Sequence, residues 1–230
     1  MWAFVPAHLG SRRLPRKALA LIDGRPLVAH VVLRARAAAV VSGVVVVTDA
    51  EPVARAVEGL CRVILTGPAA TGTERCAAAL RQLDEHPRVV VNVQGDQPML
   101  DPAHVDAAVA MLDRGFDVGT VAAPLTHAPE RAERVKVIIG PDGRAHGFSR
   151  QPVPHGGPYW AHVGIYAFRP DGLLRCAAVP PWPAVAGERL EQLPWLGAGL
   201  TIGVAKVEAA NEPVDAPVDL DRVRSVLASR

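Results

Sequence analysis

Two clusters of residues in this chain have types and spacing suited to phosphate chemistry. The first is Asn92-Val93-Gln94-Gly95-Asp96-Gln97-Pro98, where an apolar run from Val89 to Val93 ends in a glycine-proline turn carrying one acid. At the carboxyl end of a strand in an open α/β sheet, such a carboxylate can hold Mg²⁺ against a triphosphate. Taken alone, a strand followed by Gly-Asp is only a turn. The second cluster is the loop Gly10-Ser11-Arg12-Arg13-Leu14-Pro15-Arg16-Lys17, which places four cations within six positions just after the apolar run Ala3-Phe4-Val5. Arginine offers forked donors to phosphate oxygens, lysine a compact charge, and glycine lets backbone come close. Leu9, Leu14, Leu19 and Leu21 bracket these cations, which argues against a solvated basic arm of the kind that contacts nucleic acid.

Strands and helices alternate around these clusters. Val44 to Thr48 and Arg62 to Thr66 read as buried strands, and 26–39, 51–60, 73–83 and 102–112 have helical length and spacing. Repeated strand–helix units predict an α/β fold: a mostly parallel, Rossmann-like sheet with helices on both faces. After Asp117 the pattern changes to strand candidates at 118–123, 135–139, 144–149 and 163–168 with few helices between them, as in a smaller mixed lobe. No linker or repeat separates the halves. The expectation is one integrated domain over 1–230, with 1–117 as its first part, 118–200 as the smaller lobe, and 201–230 returning to the first part. Pro217 is placed to open a C-terminal helix with Leu220, Val223 and Leu227 on its apolar side. Asp215, just before it, reads from position alone as a helix cap.

These residues carry a resemblance. The opening resembles the P-A-R-x-x-S-x-R-L-P-x-K-P-L signature of the CMP-Kdo synthetases (3-deoxy-manno-octulosonate cytidylyltransferases). Further matches follow in the family's order: Gly24-Arg25-Pro26-Leu27, Val47-Thr48-Asp49, Gly72-Thr73-Glu74-Arg75, Asn92 to Pro98, Val135-Lys136-Val137, Phe148-Ser149-Arg150, His162-Val163-Gly164-Ile165-Tyr166 and Val214-Asp215-Ala216-Pro217. The resemblance implies a nucleotidyltransferase that joins CMP from CTP to an anionic acceptor and releases pyrophosphate. It also implies roles: Ser11, Arg13 and Lys17 on the triphosphate, Thr73, Arg75 and Gln94 with Gly72 lining the nucleotide site, backbone around Pro6 and Ala7 reading cytosine, and Asp96 with Asp215 holding Mg²⁺. Lys17, Asp96 and Asp215 would be the catalytic set. Arg150, His162, Glu188 and Gln192 would bind the acceptor, with Arg169 as a further candidate.

Several positions depart from the family pattern. His8 stands in place of arginine, Arg16 in place of glycine and Gln97 in place of glutamate. The stretch between Arg150 and His162 is short and lacks a basic residue the family tends to have, and Pro194 is expected to cut short the helix over Glu188 to Leu193. These changes predict an acceptor smaller than Kdo, a phosphonate such as phosphonoformate used in natural-product and antibiotic biosynthesis. CMP transfer to Kdo is the alternative, and an inactive nucleotide-binding regulator is a reading of another class. A sugar-transfer enzyme is disfavoured because no clear Asp-x-Asp follows a strand.

With 50% hydrophobic residues and a formal charge of +2, the chain has an ordinary globular composition. The expectation is no membrane or nucleic-acid partner, since no apolar run reaches spanning length and Pro6 and His8 interrupt the first residues where a signal peptide would lie. Cys61, Cys76 and Cys176 lack metal-ligand spacing and suit a reducing cytoplasm. By family resemblance a homodimer is expected.

Overall fold

The computed structural model describes residues 1–125, 134–151, 159–182 and 189–228. Its chain forms two compact units, residues 1–106 with 211–230 and residues 107–210.

The first unit is built on four parallel strands in the order β6-β1-β4-β5: β1 (Trp2–Ala7), β4 (Gly43–Thr48), β5 (Arg62–Leu65) and β6 (Val90–Val93). Ala3, Phe4, Val5 and Val44 to Val47 are buried, as expected of a strand covered on both faces, where a continuous apolar run replaces alternation. Helices α1 (Leu27–Arg36), α2 (Glu51–Ala56) and α3 (Gly72–Leu80) connect successive strands, and α1 and α3 both pack on β1 and β4. A small hairpin of β2 (Leu21–Ile22) and β3 (Arg25–Pro26) turns through Asp23 and Gly24, both at positive φ, the conformation a two-residue hairpin loop requires.

Helix α1 stops short of the expected Ala39. The amides of Ala39 and Val40 donate to the Asp106 carboxylate instead, so a distant side chain takes the hydrogen bonds that helix propensity alone would have kept local. Helix α3 starts where Thr71 Oγ accepts from the Glu74 amide at 3.1 Å, while the Glu74 carboxylate accepts from Ala70 N–H at 2.8 Å. That is a reciprocal cap written in the sequence as Thr-x-x-Glu. Helix α4 (Pro102–Asp113) leaves this unit for the next, and α7 (Pro217–Ala228) begins at Pro217 as expected.

The second unit holds β7 (Val118–Leu125), β8 (Lys136–Ile139), β9 (Ala145–Ser149), β10 (Tyr159–Phe168) and β11 (Ile202–Lys206), with α5 (Pro170–Ala178) and α6 (Gln192–Gly197). β10 runs antiparallel to β7 and β8, β8 antiparallel to β9, and β11 parallel to β7. Two expectations are corrected here. The 201–206 stretch pairs with β7 and belongs to this unit, and the chain rejoins the first unit only at residue 211. The second concerns Pro194, which does not cut a helix short. It lies in the first turn of α6, where its missing N–H would have had no helical partner, and its carbonyl accepts from Ala198. Glu188 and the stretch 152–158 lie outside the described residues.

Candidate active site

The loops at the carboxyl ends of β1, β4 and β6, with the segment before α3, enclose a cleft of about 410 Å³. Pro6, Ala7, Ser11, Lys17, Gly72, Arg75, Gln94 and Asp96 all line it, so most of the nucleotide set expected from the sequence meets in one place. Thr73 and Arg13 are the exceptions: Thr73 is buried within α3, Arg13 stands on the basic loop, and neither is on the cleft wall.

Lys17 sits on a single turn of 3₁₀ helix (Lys17–Leu19), and Arg16 before it adopts the left-handed conformation at φ 57°. That turn directs the ammonium between two carboxylates, with Nζ 2.9 Å from Asp96 Oδ2 and 3.1 Å from Asp215 Oδ1. Arg13 meets the other Asp215 oxygen at 3.0 Å. Burial by itself would lower the pKa of Lys17, but the Asp96 and Asp215 carboxylates outweigh it and raise it above the ordinary lysine value, so the side chain stays charged. An ammonium has three donors. Two are committed to the carboxylates, which leaves one for a phosphate oxygen.

The two carboxylates come from segments more than a hundred residues apart, and backbone joins them. The Val214 amide donates to Asp96 O at 2.8 Å. Asn211 accepts from the Asp101 amide at 3.0 Å and donates to Gln97 Oε1 at 3.2 Å, tying the β6 loop to the segment leading into α7. Asp215 is not the cap of α7. Its two oxygens meet Lys17 and Arg13, while the Asp219 carboxylate accepts from the amides of Asp215 and Ala216 at 3.0 and 2.8 Å.

Close backbone packing shapes the wall. A Cβ on Gly95 would lie 2.6 Å from the Pro6 carbonyl oxygen, and one on Gly72 would press within 3.2 Å of the Gln94 amide and the Pro6 ring. Gln94 donates to Asn92 Oδ1 at 3.1 Å, which holds its amide in place. His8, where the family pattern has arginine, uses Nδ1 to accept the Gly10 amide at 3.0 Å and so closes the turn leading into the basic loop. Arg75 turns its guanidinium away from the expected nucleotide contact, onto Thr66 Oγ at 3.0 Å and Asp49 Oδ2 at 2.9 Å. Asp49 also lines the cleft. It had been given no role, although its place directly after the apolar run of β4 matches that of Asp96 after β6.

In the second unit the proposed acceptor residues are held by neutral contacts. The Thr120 hydroxyl donates to Ile165 O at 2.7 Å, so at 3.0 Å from His162 Nε2 it must accept the ring N–H. Burial pushes His162 down to about 3, and its ring meets Phe148 edge-to-face and Tyr166 at a tilt. It therefore offers polar atoms rather than the positive charge expected for binding a dianion. Gln192 is buried and donates to the Tyr166 hydroxyl, while its Oε1 has no protein partner among the described residues. Lys136, also buried, donates to the Arg150 carbonyl at 2.5 Å. Arg169 donates to Leu112 O at 2.8 Å, a backbone tie.

A parallel sheet with a cationic, carboxylate-bearing cleft at its strand ends is the arrangement of a nucleotidyltransferase. The family model described as cytidylyltransferase matches residues 2–202. The 3-deoxy-manno-octulosonate cytidylyltransferase of Anaeromyxobacter sp. (strain Fw109-5) is 46% identical over 235 residues, covering 98% of this chain and 96% of the relative. That of Rhodospirillum centenum (strain ATCC 51521 / SW) is 42% identical over 238 residues, covering 98% and 93%. Among solved structures, CMP:2-keto-3-deoxy-manno-octonic acid synthetase complexed with CTP superposes with a TM-score of 0.89 at 33% identity, covering 99% of this chain and 98% of that one. The chain belongs to the cytidylyltransferases and, within them, to the CMP-Kdo synthetase family. A 4-diphosphocytidyl-2C-methyl-D-erythritol synthase from Anaerococcus prevotii DSM 20548, with a TM-score of 0.70 at 11% identity, shares the fold alone.

No helix among the described residues is long and apolar enough to cross a membrane.

Proposed function

We propose that this chain transfers CMP from CTP to 3-deoxy-manno-octulosonate, releasing pyrophosphate. The observation that carries the chemistry is the convergence of Asp96 and Asp215 on Lys17 at the cleft wall. The acceptor follows from relatives that bear that activity in their names and match the chain nearly end to end. They favour the sugar acid over the compact phosphonate. One structural premise of the phosphonate reading, a helix broken at Pro194, is also gone.

The two aspartates fit a divalent cation. Their oxygens already converge on one positive centre, and among the described residues no group of three His, Cys, Asp or Glu side chains supplies a fuller cage. Two carboxylates with substrate phosphates and water completing the shell is the usual arrangement for Mg²⁺. When bound there, the ion supplies charge neutralisation at the phosphoryl oxygens.

The reaction is an in-line displacement. The acceptor hydroxyl oxygen bonds to the α-phosphorus as the bond to the bridging oxygen of pyrophosphate breaks, and the hydroxyl proton passes to solvent water. Lys17, with its remaining donor, and the basic loop from Ser11 to Arg13 stabilise the negative charge that builds on phosphoryl and leaving-group oxygens. In the second unit, neutral His162, Tyr166 and Gln192 suit a polyhydroxylated ligand, because hydroxyls need donors and acceptors more than charge. Gln192 Oε1 in particular is a buried acceptor awaiting a donor.

The test supplies CTP and Mg²⁺ with Kdo or phosphonoformate at equal concentration and measures pyrophosphate and the CMP conjugate. CMP-Kdo as the dominant product is expected. Exclusive phosphonate product would restore the smaller acceptor, and no pyrophosphate with either would remove the activity.

A further inference from the structure

The ion pair at the carboxyl end of β4 takes no part in the chemistry above. Arg75 is buried, so its guanidinium must be paired, and its two terminal nitrogens donate to Thr66 and Asp49. This commits only one oxygen of Asp49. The other, Oδ1, has no hydrogen-bond partner among the described residues, and the side chain is 34% exposed on the cleft wall.

We propose that Asp49 reads the nucleoside of the bound nucleotide, with Oδ1 accepting a hydrogen bond from a nucleoside donor, either a ribose hydroxyl or the base amino group. This rests on the reading of the cleft as a nucleotide site. An ionised carboxylate only accepts, so its partner must be a donor, and a polyphosphate offers none and would be repelled. Placement agrees with this. Strand β1 lies between β4 and β6, so the end of β4 is two strand spacings, about 10 Å, from the end of β6 that bears Asp96. A nucleotide whose phosphates lie against Asp96 and Lys17 can therefore extend its nucleoside across β1 towards Asp49.

Arg75 is then a positioning residue. Held by Thr66, whose amide donates to Thr48 O at 2.8 Å across the β4 and β5 ends, it fixes the carboxylate without touching the ligand. The buried pair also explains why an arginine on the cleft wall commits its terminal nitrogens to protein partners.

Calorimetric titration of CTP, 2′-deoxy-CTP, 3′-deoxy-CTP and UTP, each with Mg²⁺, into the wild type and into Asp49→Ala tests the proposal. In the wild type, the analogue lacking the relevant donor is expected to bind about 10- to 100-fold more weakly than CTP. In Asp49→Ala that one penalty should shrink to within about 3-fold while the other penalties persist, the signature of direct coupling. Which analogue responds distinguishes ribose from base. Unchanged penalties for every analogue, or an equal loss for all four ligands, would overturn the proposal. Should Asp49→Ala fail to fold with Arg75 left unpaired, Asp49→Asn can keep an oxygen on Arg75 while turning a donor to the cleft, and the same loss of discrimination is expected. A wild type that does not bind CTP sinks the nucleotide reading itself, and the first titration reveals this before any variant is made.

Discussion

The cleft of the first unit and the polar cluster of the second unit handle burial in opposite ways. At the cleft, Lys17, Asp96 and Asp215 are 15%, 28% and 37% exposed and paired with one another, and Lys17 stays charged because the two carboxylates outweigh its burial. In the second unit, His162, Tyr166 and Gln192 are held neutral, the tyrosine because burial, then the nearby Glu191 charge, push its pKa up despite the Gln192 hydrogen bond. On the proposed function the difference follows the ligands: phosphate oxygens need countercharge, whereas hydroxyls need directed hydrogen bonds that a low-dielectric surrounding strengthens. Substitutions should therefore act through charge in the first unit and through hydrogen-bond geometry or proton uptake in the second.

The largest effect is expected from Asp96→Asn, which removes charge from the convergent pair with little change of volume. Turnover should fall by at least about 10³-fold with the melting temperature little changed. Asp215→Asn should behave the same way, because the Asp215 oxygens meet Lys17 and Arg13 rather than α7. A variant that loses about 1 kcal/mol of stability but keeps normal Mg²⁺-dependent turnover would return Asp215 to a capping role.

Gly95→Ala breaks the cleft sterically and leaves its charges alone. With its Cβ 2.6 Å from the Pro6 carbonyl oxygen, backbone has to move, and a loss of about 1–3 kcal/mol is expected in chemical denaturation together with weaker CTP binding. Unchanged stability and affinity would show that the β1 and β6 ends can part freely.

The neutral cluster is probed by pH. The folded-state pKa of His162 lies well below the 6.5 of an unperturbed histidine. Below about 6.5 the unfolded chain takes up a proton that the folded chain refuses, so the His162 contribution to stability is present above that pH. It is lost progressively, by up to ~1.4 kcal/mol per pH unit, as pH falls from about 6.5 towards 3. His162→Gln should flatten this part of the stability profile, and a profile identical to wild type would place the proton elsewhere.

The smallest effect concerns Arg16. Its left-handed backbone strains an L side chain, so Arg16→Gly should stabilise the fold by ~0.5 kcal/mol, the relief being partly offset by a freer unfolded chain. A net destabilisation would mean that the Arg16 side chain makes contacts worth more than the strain.

The elements were largely legible in the sequence because buried parallel strands announce themselves as apolar runs and helix starts as caps. Val44 to Val47 and Pro217 are clear cases, and Thr71 with Glu74 carried a start signal one residue ahead of the expected one. Ends were less legible. The limit of α1 depends on Asp106, sixty-six residues beyond Val40, and no local pattern reports that bond.

Family motifs in the sequence placed Lys17, Asp96 and Asp215 among the candidate residues and brought Arg75 and Gln192 into view. What side chains do with their hydrogen bonds was decided only in the folded chain. Asp96 could have been only a turn residue and Asp215 only a cap, and position favoured the cap for Asp215 until its oxygens proved to meet Lys17 and Arg13. Arg75 could have faced phosphate, but its buried guanidinium was claimed by Asp49 and Thr66. Sequence by itself determined which groups and elements exist, because periodicity and residue type are local. Tertiary structure decided which donor meets which acceptor, because each buried polar group must be satisfied by whichever partner the fold brings within reach.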